Sequence, residues 1–414
     1  MRSRICVRRC GAAPSLILET LTQNQRYRTM GVEDIRQTWV EIDLDALAYN
    51  IENIKEKVGS DPEIIGVVKA DAYGHGAVQV AKLLKKHGVQ SFAVATVKEA
   101  LELRDAGISD RILILGITPK SCYEIIVREG FVPVIGSYNE ALALSQAATA
   151  MDGSASCMIA LDTGMGRIGY VIREEEDIDA AEDEIDEIFG LDGLIVGGII
   201  SHFSKADEED SSYTDKQLDI FNRFYEKLSA DGYSLPFMTI ANSAAIMEYP
   251  KAYFDGVRPG IILYGCYPSR EVDRSLLDLK PVMSVKANIV YVKKLPEGSA
   301  VSYGGRFVAD RDMRVATVGI GYADGYPRCI SGKAEMLVNG HRVPVLGNIC
   351  MDQCMIDVTD LPEVCKGTQV TIMGRSGDES ITADDLAELS GTINYEILCD
   401  FGMRLDKKYI QAGE

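Results

Sequence analysis

The sequence predicts an α/β protein: an N-terminal (β/α)8 barrel of the TIM type, followed by a mostly-β domain at the C-terminus. From Ile64 onward, short apolar runs alternate with amphipathic stretches whose apolar residues recur at three- and four-residue spacing. After Pro281, strand-like segments follow one another without long helices, and glycine and proline separate them. A chain of 414 residues is long enough for two such domains.

The predicted barrel strands are short apolar runs that end in small or polar residues, where a barrel places its chemistry. They are 64–68, 92–95, 112–115, 132–135, 157–161, 194–200, 238–240 and 261–264, with helices predicted at 77–87, 97–106, 139–148 and 216–228. Eight alternations over about 230 residues suit a barrel. An open doubly wound sheet alternates in a similar way, so the periodicity alone leaves both architectures open.

The second domain is predicted to contain strands 282–292, 313–318, 333–338, 343–346, 354–358 and 369–373 and a short helix 383–389. With a boundary near Leu279, the barrel covers 38–279 and the β domain covers 280–414. Residues 1–37 differ from the rest, because four arginines precede any acidic residue. A transit peptide fits this composition, but Met30 as the true initiator is the interpretation we favour.

Composition excludes several classes of function. A formal net charge of −19 argues against nucleic acid, whose phosphates require clustered Lys and Arg. The longest apolar runs, such as 191–200, are too short to cross a membrane. The ten cysteines show no CxxC spacing, which favours reduced thiols in a cytoplasmic protein. The four histidines form no ligand-like cluster, so we expect no metal site.

The segment Val67-Val-Lys-Ala-Asp-Ala-Tyr-Gly-His-Gly76 follows the first predicted barrel strand. Burial at a strand end lowers the pKa of a lysine and gives the neutral amine that bonds a carbonyl cofactor. An isolated lysine more often extends to solvent. The complete ten-residue string, however, resembles the cofactor-lysine motif of the alanine racemases, which use pyridoxal phosphate.

Other strings resemble the same family, in the same order, from Trp39 to Arg404. They are Asp162-Thr-Gly-Met-Gly-Arg-Ile-Gly169, Ser201-His-Phe203, Ala241-Asn-Ser-Ala-Ala245, Val257-Arg-Pro-Gly-Ile261, Val301-Ser-Tyr-Gly304, Gly321-Tyr-Ala-Asp-Gly325 and Gly347-Asn-Ile-Cys-Met-Asp-Gln353. The resemblance implies a homodimer whose active sites are shared between subunits.

The resemblance also implies the roles of individual residues. Lys69 is expected to carry the cofactor and to act as one base, and Tyr303 of the partner subunit is expected to be the other. A tyrosine accepts a proton only as its anion, which neighbours such as His202 and Arg258 must favour. Arg258 is expected to donate a hydrogen bond, but no proton, to the cofactor ring nitrogen.

The remaining expected site residues bind the cofactor or the substrate. The cofactor set adds Tyr73, Arg167, His202, Asn242, Ser243, Gly260 and Ile261, of which Tyr73, Ser243 and the amides near Gly260 and Ile261 face the phosphate. Arg167 and the partner's Met351 amide hold the substrate carboxylate, and Tyr322 lies near the entrance.

Three positions depart from the usual family pattern. Ala160 replaces a lysine that orients the central arginine, so we hypothesise that Arg167 uses a bound anion such as chloride instead. Met403 replaces a tyrosine that reaches the phosphate, so one hydrogen bond to the cofactor is lost. Because methionine also changes the polarity and volume of the pocket, serine or a larger amino acid becomes a candidate substrate beside alanine. Thr239 stands where a histidine is common, so the hydrogen bonds around Arg258 are left undetermined.

The sequence therefore predicts an alanine racemase that supplies D-alanine for peptidoglycan. A serine or broad-specificity racemase is the nearest alternative. A pyridoxal-phosphate-dependent decarboxylase requires an acidic residue where this chain has Arg258. A non-catalytic cofactor carrier lacks the second domain that contains Tyr303 and Met351.

Overall fold

The computed structural model describes residues 37–230, 232 and 237–412, and the predictions for residues 1–36 lie outside them. Its strands fall into two large sheets and one two-stranded ribbon. In chain order they are β1 Thr38–Asp43, β2 Glu63–Val67, β3 Ser91–Val94, β4 Arg111–Ile114, β5 Val132–Ile135, β6 Ala155–Asp162, β7 Tyr170–Val171, β8 Leu194–Ile200, β9 Met238–Thr239, β10 Gly256–Val257, β11 Met283–Leu295, β12 Ala300–Val301, β13 Phe307–Val308, β14 Met313–Val318, β15 Glu335–Val338, β16 His341–Leu346, β17 Cys354–Asp357, β18 Gln369–Ser376, β19 Glu379–Ile381 and β20 Asp406–Ile410.

The α-helices lie mostly between the strands of the first sheet. They are α1 Leu44–Val58, α2 Lys69–Tyr73, α3 Ala77–Lys86, α4 Val97–Asp105, α5 Tyr123–Glu129, α6 Tyr138–Ala150, α7 Glu175–Phe189, α8 Ser212–Ala230, α9 Ser243–Glu248, α10 Ala383–Ser390 and α11 Asn394–Gly402. Short 3-10 helices include Ile261–Tyr264, Tyr303–Gly305 and Tyr322–Asp324. Among the described residues, no helix is both long and apolar enough to span a membrane.

The first sheet is the predicted barrel. Its strands run in parallel in the order β10-β2-β3-β4-β5-β6-β8-β9, with β7 attached to β6. The ring closes between β9 and β10, where the amides of Asp255 and Arg258 donate to the carbonyls of Met238 and Ala241. The fold class predicted from sequence is confirmed. The carboxyl ends of the strands meet at one mouth, where the site residues gather.

The prediction for the eighth barrel strand was wrong. Residues 261–264 form a 3-10 helix, and the eighth strand is β10, Gly256–Val257. The Ile261–Tyr264 run is apolar because all four side chains are buried, and burial in a short run does not distinguish a strand from a helical turn. Gly265 ends this turn at φ 77°, where a β-carbon would lie 1.9 Å from the carbonyl oxygen of Lys280.

The second sheet has nine strands in the order β19-β18-β15-β16-β17-β14-β11-β1-β20. The sequence analysis counted residues 38–43 with the barrel, but β1 pairs antiparallel with β11 and parallel with β20. Asp43 ends this strand and caps helix α1, accepting a hydrogen bond from the amide of Ala46. The chain thus passes through the second sheet before it enters the barrel.

Candidate active site

A cavity of about 240 Å³ lies at the mouth of the barrel. Fourteen residues line it: Lys69, Ala95, Leu115, Gly116, Val134, Ala160, Leu161, Met165, Arg167, Ile168, Ile200, Ser201, His202 and Arg258. Four of these can carry a positive charge, Lys69, Arg167, His202 and Arg258, and none is acidic. A small cavity with this charge suits an anionic ligand, because no carboxylate competes with it for the cationic groups.

Lys69 is separated by Val68 alone from the end of strand β2, whose residues become buried towards its carboxyl end. Burial lowers the pKa of its ammonium group, and the positive charge of Arg167 lowers that pKa further. Both effects favour the neutral amine, which is the nucleophilic form. The sequence-based expectation for the protonation of Lys69 agrees with this environment.

The four residues after Lys69 form a left-handed turn. Ala70, Asp71, Ala72 and Tyr73 have φ between 52° and 55°, a region that costs side-chain-bearing residues about 1–2 kcal/mol each. Glu99 accepts a hydrogen bond from the amide of Ala70 at 2.7 Å. Asp71 accepts from the amide of Ala77 and pairs with Lys407 at 2.8 Å. A turn with such left-handed backbone angles persists only when bonds to residues outside the turn hold it in place.

Tyr73 and Ser243 converge on Gly260. A β-carbon at Gly260 would lie 2.6 Å from the Tyr73 hydroxyl and 3.8 Å from Oγ of Ser243, so only glycine leaves this space free. The Gly260 amide donates to Oγ of Ser243 at 2.9 Å. Burial raises the pKa of Tyr73, so its hydroxyl remains a donor. These groups can hold an anionic oxygen.

Asn242 does not line the cavity at Lys69. Its Oδ1 caps helix α9 and accepts a hydrogen bond from the amide of Ala245 at 3.1 Å. Asn242 is thus the N-cap of this helix, and Ser243 is its first residue. Oγ of Ser243 is therefore available to Gly260. Ile261 follows as the first residue of the 3-10 helix.

Arg258 is buried beneath the cavity, and its guanidinium is held by several acceptors. It donates to Oγ1 of Thr239 at 2.5 Å, to the carbonyl of Ser201 at 2.7 Å and to the carbonyl of Ile240 at 3.0 Å. Burial and the charge of Arg167 lower its pKa to about 9, so it remains charged at neutral pH. Thr239, which stands where a histidine is common in the family, thus accepts a hydrogen bond from Arg258. Its hydroxyl donates in turn to the carbonyl of Gly256.

His202 lies beside Arg258, and Nδ1 of the ring is 3.3 Å from Nη2 of Arg258. A guanidinium only donates, so Nδ1 accepts and the ring proton is on Nε2. Burial and the charge of Arg258 lower the pKa of His202 well below its usual value. The neutral ring therefore accepts a hydrogen bond from Arg258 at Nδ1 and can donate one from Nε2–H to a further group.

Arg167 follows a loop held by Asp162, whose Oδ1 accepts from the amides of Gly164 and Gly166. Within the described part of the chain, no group accepts a hydrogen bond from the Arg167 guanidinium. Ala160, which is buried and lines the same cavity, offers none. The geometry leaves Arg167 free to bind an anion.

Tyr303, Tyr322 and Met351 do not line the cavity of this chain. They lie together in the second domain, where the Tyr322 amide donates to the carbonyl of Cys350, and Nδ2 of Asn348 donates to the Tyr303 carbonyl. Their side chains are 71%, 41% and 52% exposed. The structure thus brings four residues predicted to bind the cofactor together in one cavity of the barrel: Lys69, Arg167, His202 and Arg258. It groups Tyr303, Tyr322 and Met351 on a separate exposed surface.

Sequence reasoning missed three residues that shape the site. Glu99 binds three backbone amides around the start of the left-handed turn. The Tyr73 ring packs against those of Tyr264 and Tyr395 at 5.0 and 6.0 Å. Glu99 had a sequence signal, since Thr96 and Glu99 form a capping box. The aromatic packing had none, because it joins segments that are distant in the chain.

A barrel followed by a second β domain, with Lys69, Arg167 and Arg258 lining one cavity at the barrel mouth, is typical of a barrel-type enzyme. The positive charge of this cavity suits an anionic ligand. Family models for the N-terminal and C-terminal domains of alanine racemase match residues 42–268 and 282–409. The chain belongs to the alanine racemase family, and it is an amino-acid racemase of that type.

Three relatives illustrate the similarity. Alanine racemase 1 of Clostridium acetobutylicum is 50% identical over 92% of this chain and 97% of its own length. The solved alanine racemase of Clostridium difficile 630 has a TM-score of 0.86 at 39% identity, covering 91% of this chain and 97% of that one. The histidine racemase of Leuconostoc mesenteroides has a TM-score of 0.82 at 32% identity, covering 91% and 98%.

Proposed function

We propose that this protein interconverts L- and D-alanine with pyridoxal phosphate held at Lys69. The observation that carries the proposal is the position of Lys69: at the barrel mouth, with a lowered pKa, in a cavity shared with Arg167 and Arg258. The names of the curated relatives support alanine as the substrate.

The residues present fit the chemical groups of pyridoxal phosphate. Lys69 offers an amine to the aldehyde, and Arg258 offers a fixed donor to the ring nitrogen. Tyr73, Ser243 and the space at Gly260 suit the phosphate. When bound, the cofactor supplies an electron-withdrawing ring that stabilises negative charge at the substrate Cα. Because Arg258 donates no proton to the ring, that stabilisation is moderate, which favours rapid reprotonation.

Racemisation requires a proton to leave one face of Cα and another to arrive on the opposite face. The Lys69 amine serves one face. Tyr303 of the partner subunit serves the other, and His202 supports its anion by donating from Nε2. Arg167 orients the substrate carboxylate, with help from the Met351 amide of the partner subunit. Tyr322 of the partner subunit narrows the entrance.

The proposal includes a homodimer. Tyr303, Tyr322 and Met351 form an exposed group on this chain, outside the cavity at Lys69. A second copy related by a twofold axis would bring each such group to the other subunit's cavity. The D-alanine formed would supply peptidoglycan. The eight described cysteines are all free, which supports a cytoplasmic site of action.

A second candidate is a racemase with broader specificity, including serine. Met403 supports it, because this side chain is 84% exposed and flexible where the family usually has a rigid tyrosine. The histidine racemase among the structural relatives supports it as well.

The test is proton exchange at Cα in heavy water, followed by NMR and chiral separation. Purified protein with pyridoxal phosphate is given L-alanine, L-serine or L-histidine separately. Lys69→Ala is the inactive variant, and Lys205→Ala, which alters an exposed lysine paired with Glu208, is the matched control. We expect exchange and D-alanine with the wild type and the control, and neither with Lys69→Ala.

Faster turnover of serine or histidine than of alanine would favour the second candidate. Exchange that persists in Lys69→Ala would contradict the role of Lys69. An absence of exchange with all three amino acids in the cofactor-loaded wild type would overturn the proposed reaction.

A further inference from the structure

His75 is a completely buried histidine to which the proposed mechanism gives no role. Its Nδ1 lies 2.9 Å from the carbonyl oxygen of Ala72 and 3.0 Å from that of Tyr73. Its ring stacks on Tyr264 with centroids 4.4 Å apart and planes 25° apart. Among the residues that the structure describes, none forms a hydrogen bond with its Nε2. The ring is therefore attached to the left-handed turn through Nδ1 alone.

The protonation of the ring follows from these contacts. Both neighbours of Nδ1 are carbonyl oxygens, which only accept, so the proton is on Nδ1. Burial lowers the pKa of His75 to about 4, and the nearby positive charge of Lys407 acts in the same direction, while Asp71 opposes it. The ring is neutral at physiological pH and serves as a single donor shared by two carbonyls.

The two carbonyls belong to the part of the turn that most needs support. Ala72 and Tyr73 both have positive φ, and their carbonyl oxygens lie inside the protein. The turn leads from Lys69 at its start to Tyr73 at its end. The hydroxyl of Tyr73 lies beside Gly260, so a change in the turn alters the distance between the cofactor lysine and this hydroxyl.

We propose that His75 is a positioning residue: its Nδ1–H bonds to Ala72 and Tyr73 fix the left-handed turn and thereby hold the Tyr73 hydroxyl at the phosphate of the cofactor. This rests on the proposed function, in which that site holds pyridoxal phosphate. His75 touches neither substrate nor cofactor, and it acts through Tyr73.

The test compares two substitutions of His75. His75→Asn keeps a short donor that reaches both carbonyls, and His75→Phe keeps an aromatic ring against Tyr264 but removes the donor. Tyr73→Phe removes the terminal hydroxyl while leaving the turn bonds in place. His87→Asn is the matched control, because it alters a histidine on the surface that pairs with Glu52. Thermal unfolding establishes that each variant is folded.

Two measurements are made. The affinities for pyridoxal phosphate and for pyridoxal, which lacks the phosphate, give a ratio that depends on the phosphate site. Hydrogen exchange of the peptide covering 70–76 in the cofactor-free protein reports on the turn itself. We expect His75→Phe to lower the affinity ratio about tenfold and to accelerate exchange, because the buried Tyr73 carbonyl loses the ring donor, whereas the Ala72 carbonyl keeps the backbone amide of His75. His75→Asn and His87→Asn should resemble the wild type. Tyr73→Phe should lower the ratio without accelerating exchange.

The inference is overturned if His75→Phe keeps both the wild-type affinity ratio and the wild-type rate of hydrogen exchange. It is also overturned if His75→Asn has a lowered affinity ratio although it keeps a donor. Should His75→Phe fail to fold, His75→Asn decides by the same criterion. If the wild type prefers pyridoxal phosphate no more than pyridoxal, the proposed function is at fault, and the exchange data still decide whether His75 holds the turn.

Discussion

Nη2 of Arg258 donates to Nδ1 of His202 over 3.3 Å, so a permanently charged donor determines which nitrogen of the histidine carries the proton. His202 therefore presents Nε2–H towards any group that binds on its other side. Burial and the charge of Arg258 keep the ring neutral by lowering its pKa. In the proposed mechanism, this hydrogen-bonded pair connects the position of the cofactor ring to the second base.

Thr239→Val should destabilise the protein. The substitution removes the hydroxyl that accepts from Nη1 of Arg258 at 2.5 Å and leaves a buried charged donor without that partner. We expect a loss of about 3 kcal/mol in the free energy of unfolding, measured with denaturant. Thr239→Ser keeps the hydroxyl and should lose much less. Equal stability of the valine and serine variants would contradict the role assigned to Thr239.

The stability of the protein should depend on His75 between pH 7 and pH 5. The pKa of His75 is about 4 in the folded protein and 6.5 in a model peptide, so the unfolded chain binds the proton first as the pH falls. The stabilising contribution of the neutral ring is complete above pH 6.5 and is lost as the pH falls towards 4. The wild type should lose about 2 kcal/mol more than His75→Asn between pH 7 and pH 5. A constant difference between the two proteins would show that His75 is not the titrating group.

Chloride should stimulate the enzyme at constant ionic strength. Arg167 has no hydrogen-bond acceptor in the described part of the chain, and Ala160 provides none, so a small anion can occupy the space beside it. Replacing chloride with gluconate should reduce activity about fivefold, corresponding to roughly 1 kcal/mol. Ala160→Lys, tested beside Ala160→Val, should abolish this dependence, and only the lysine variant should do so. Identical wild-type rates in the two salts would rule out the anion.

Met403→Tyr should tighten the binding of pyridoxal phosphate. Met403 follows helix α11, whose last residue Gly402 packs against Gly74 at the end of the left-handed turn. A hydroxyl that reaches the phosphate should improve affinity about fivefold. Met403→Phe adds an aromatic ring without this donor, so it should leave the affinity for the cofactor unchanged. If both variants bind the cofactor equally well, the hydroxyl has no such role.

The barrel and the second β domain could be predicted from sequence because the spacing of apolar residues differs between helices and strands. The eighth strand could not, since Gly256–Val257 is too short to show a period. Residues 38–43 were counted with the barrel domain, and their pairing with β11 and β20 could not be foreseen because both partners are distant in the chain. Pairing between strands that are so far apart in the sequence leaves no local pattern from which it could be predicted.

Motifs in the sequence predicted which barrel residues bind the cofactor, and the structure brings four of those residues together in one cavity: Lys69, Arg167, His202 and Arg258. The positive φ values of residues 70–73 could not be foreseen, because alanine and tyrosine rarely adopt them. The hydrogen bonds that join Glu99 and His75 to this turn could not be foreseen either, because the turn itself was not expected. For Glu99 the sequence indicated only the capping box with Thr96. The partnership between Lys69 and the second subunit's tyrosine stays a prediction.

Mixing two inactive homodimers tests that partnership directly. Lys69→Ala and Tyr303→Phe are each prepared, mixed in equal amounts, dissociated and allowed to reassociate, and assayed for racemisation. If Lys69 of one subunit works with Tyr303 of the partner subunit, half of the dimers contain one intact site of two, and activity should recover to about a quarter of the wild-type value. If both residues served a site within one chain, every site would lack one base. Activity that stays at the level of the separate variants would contradict the shared two-base site.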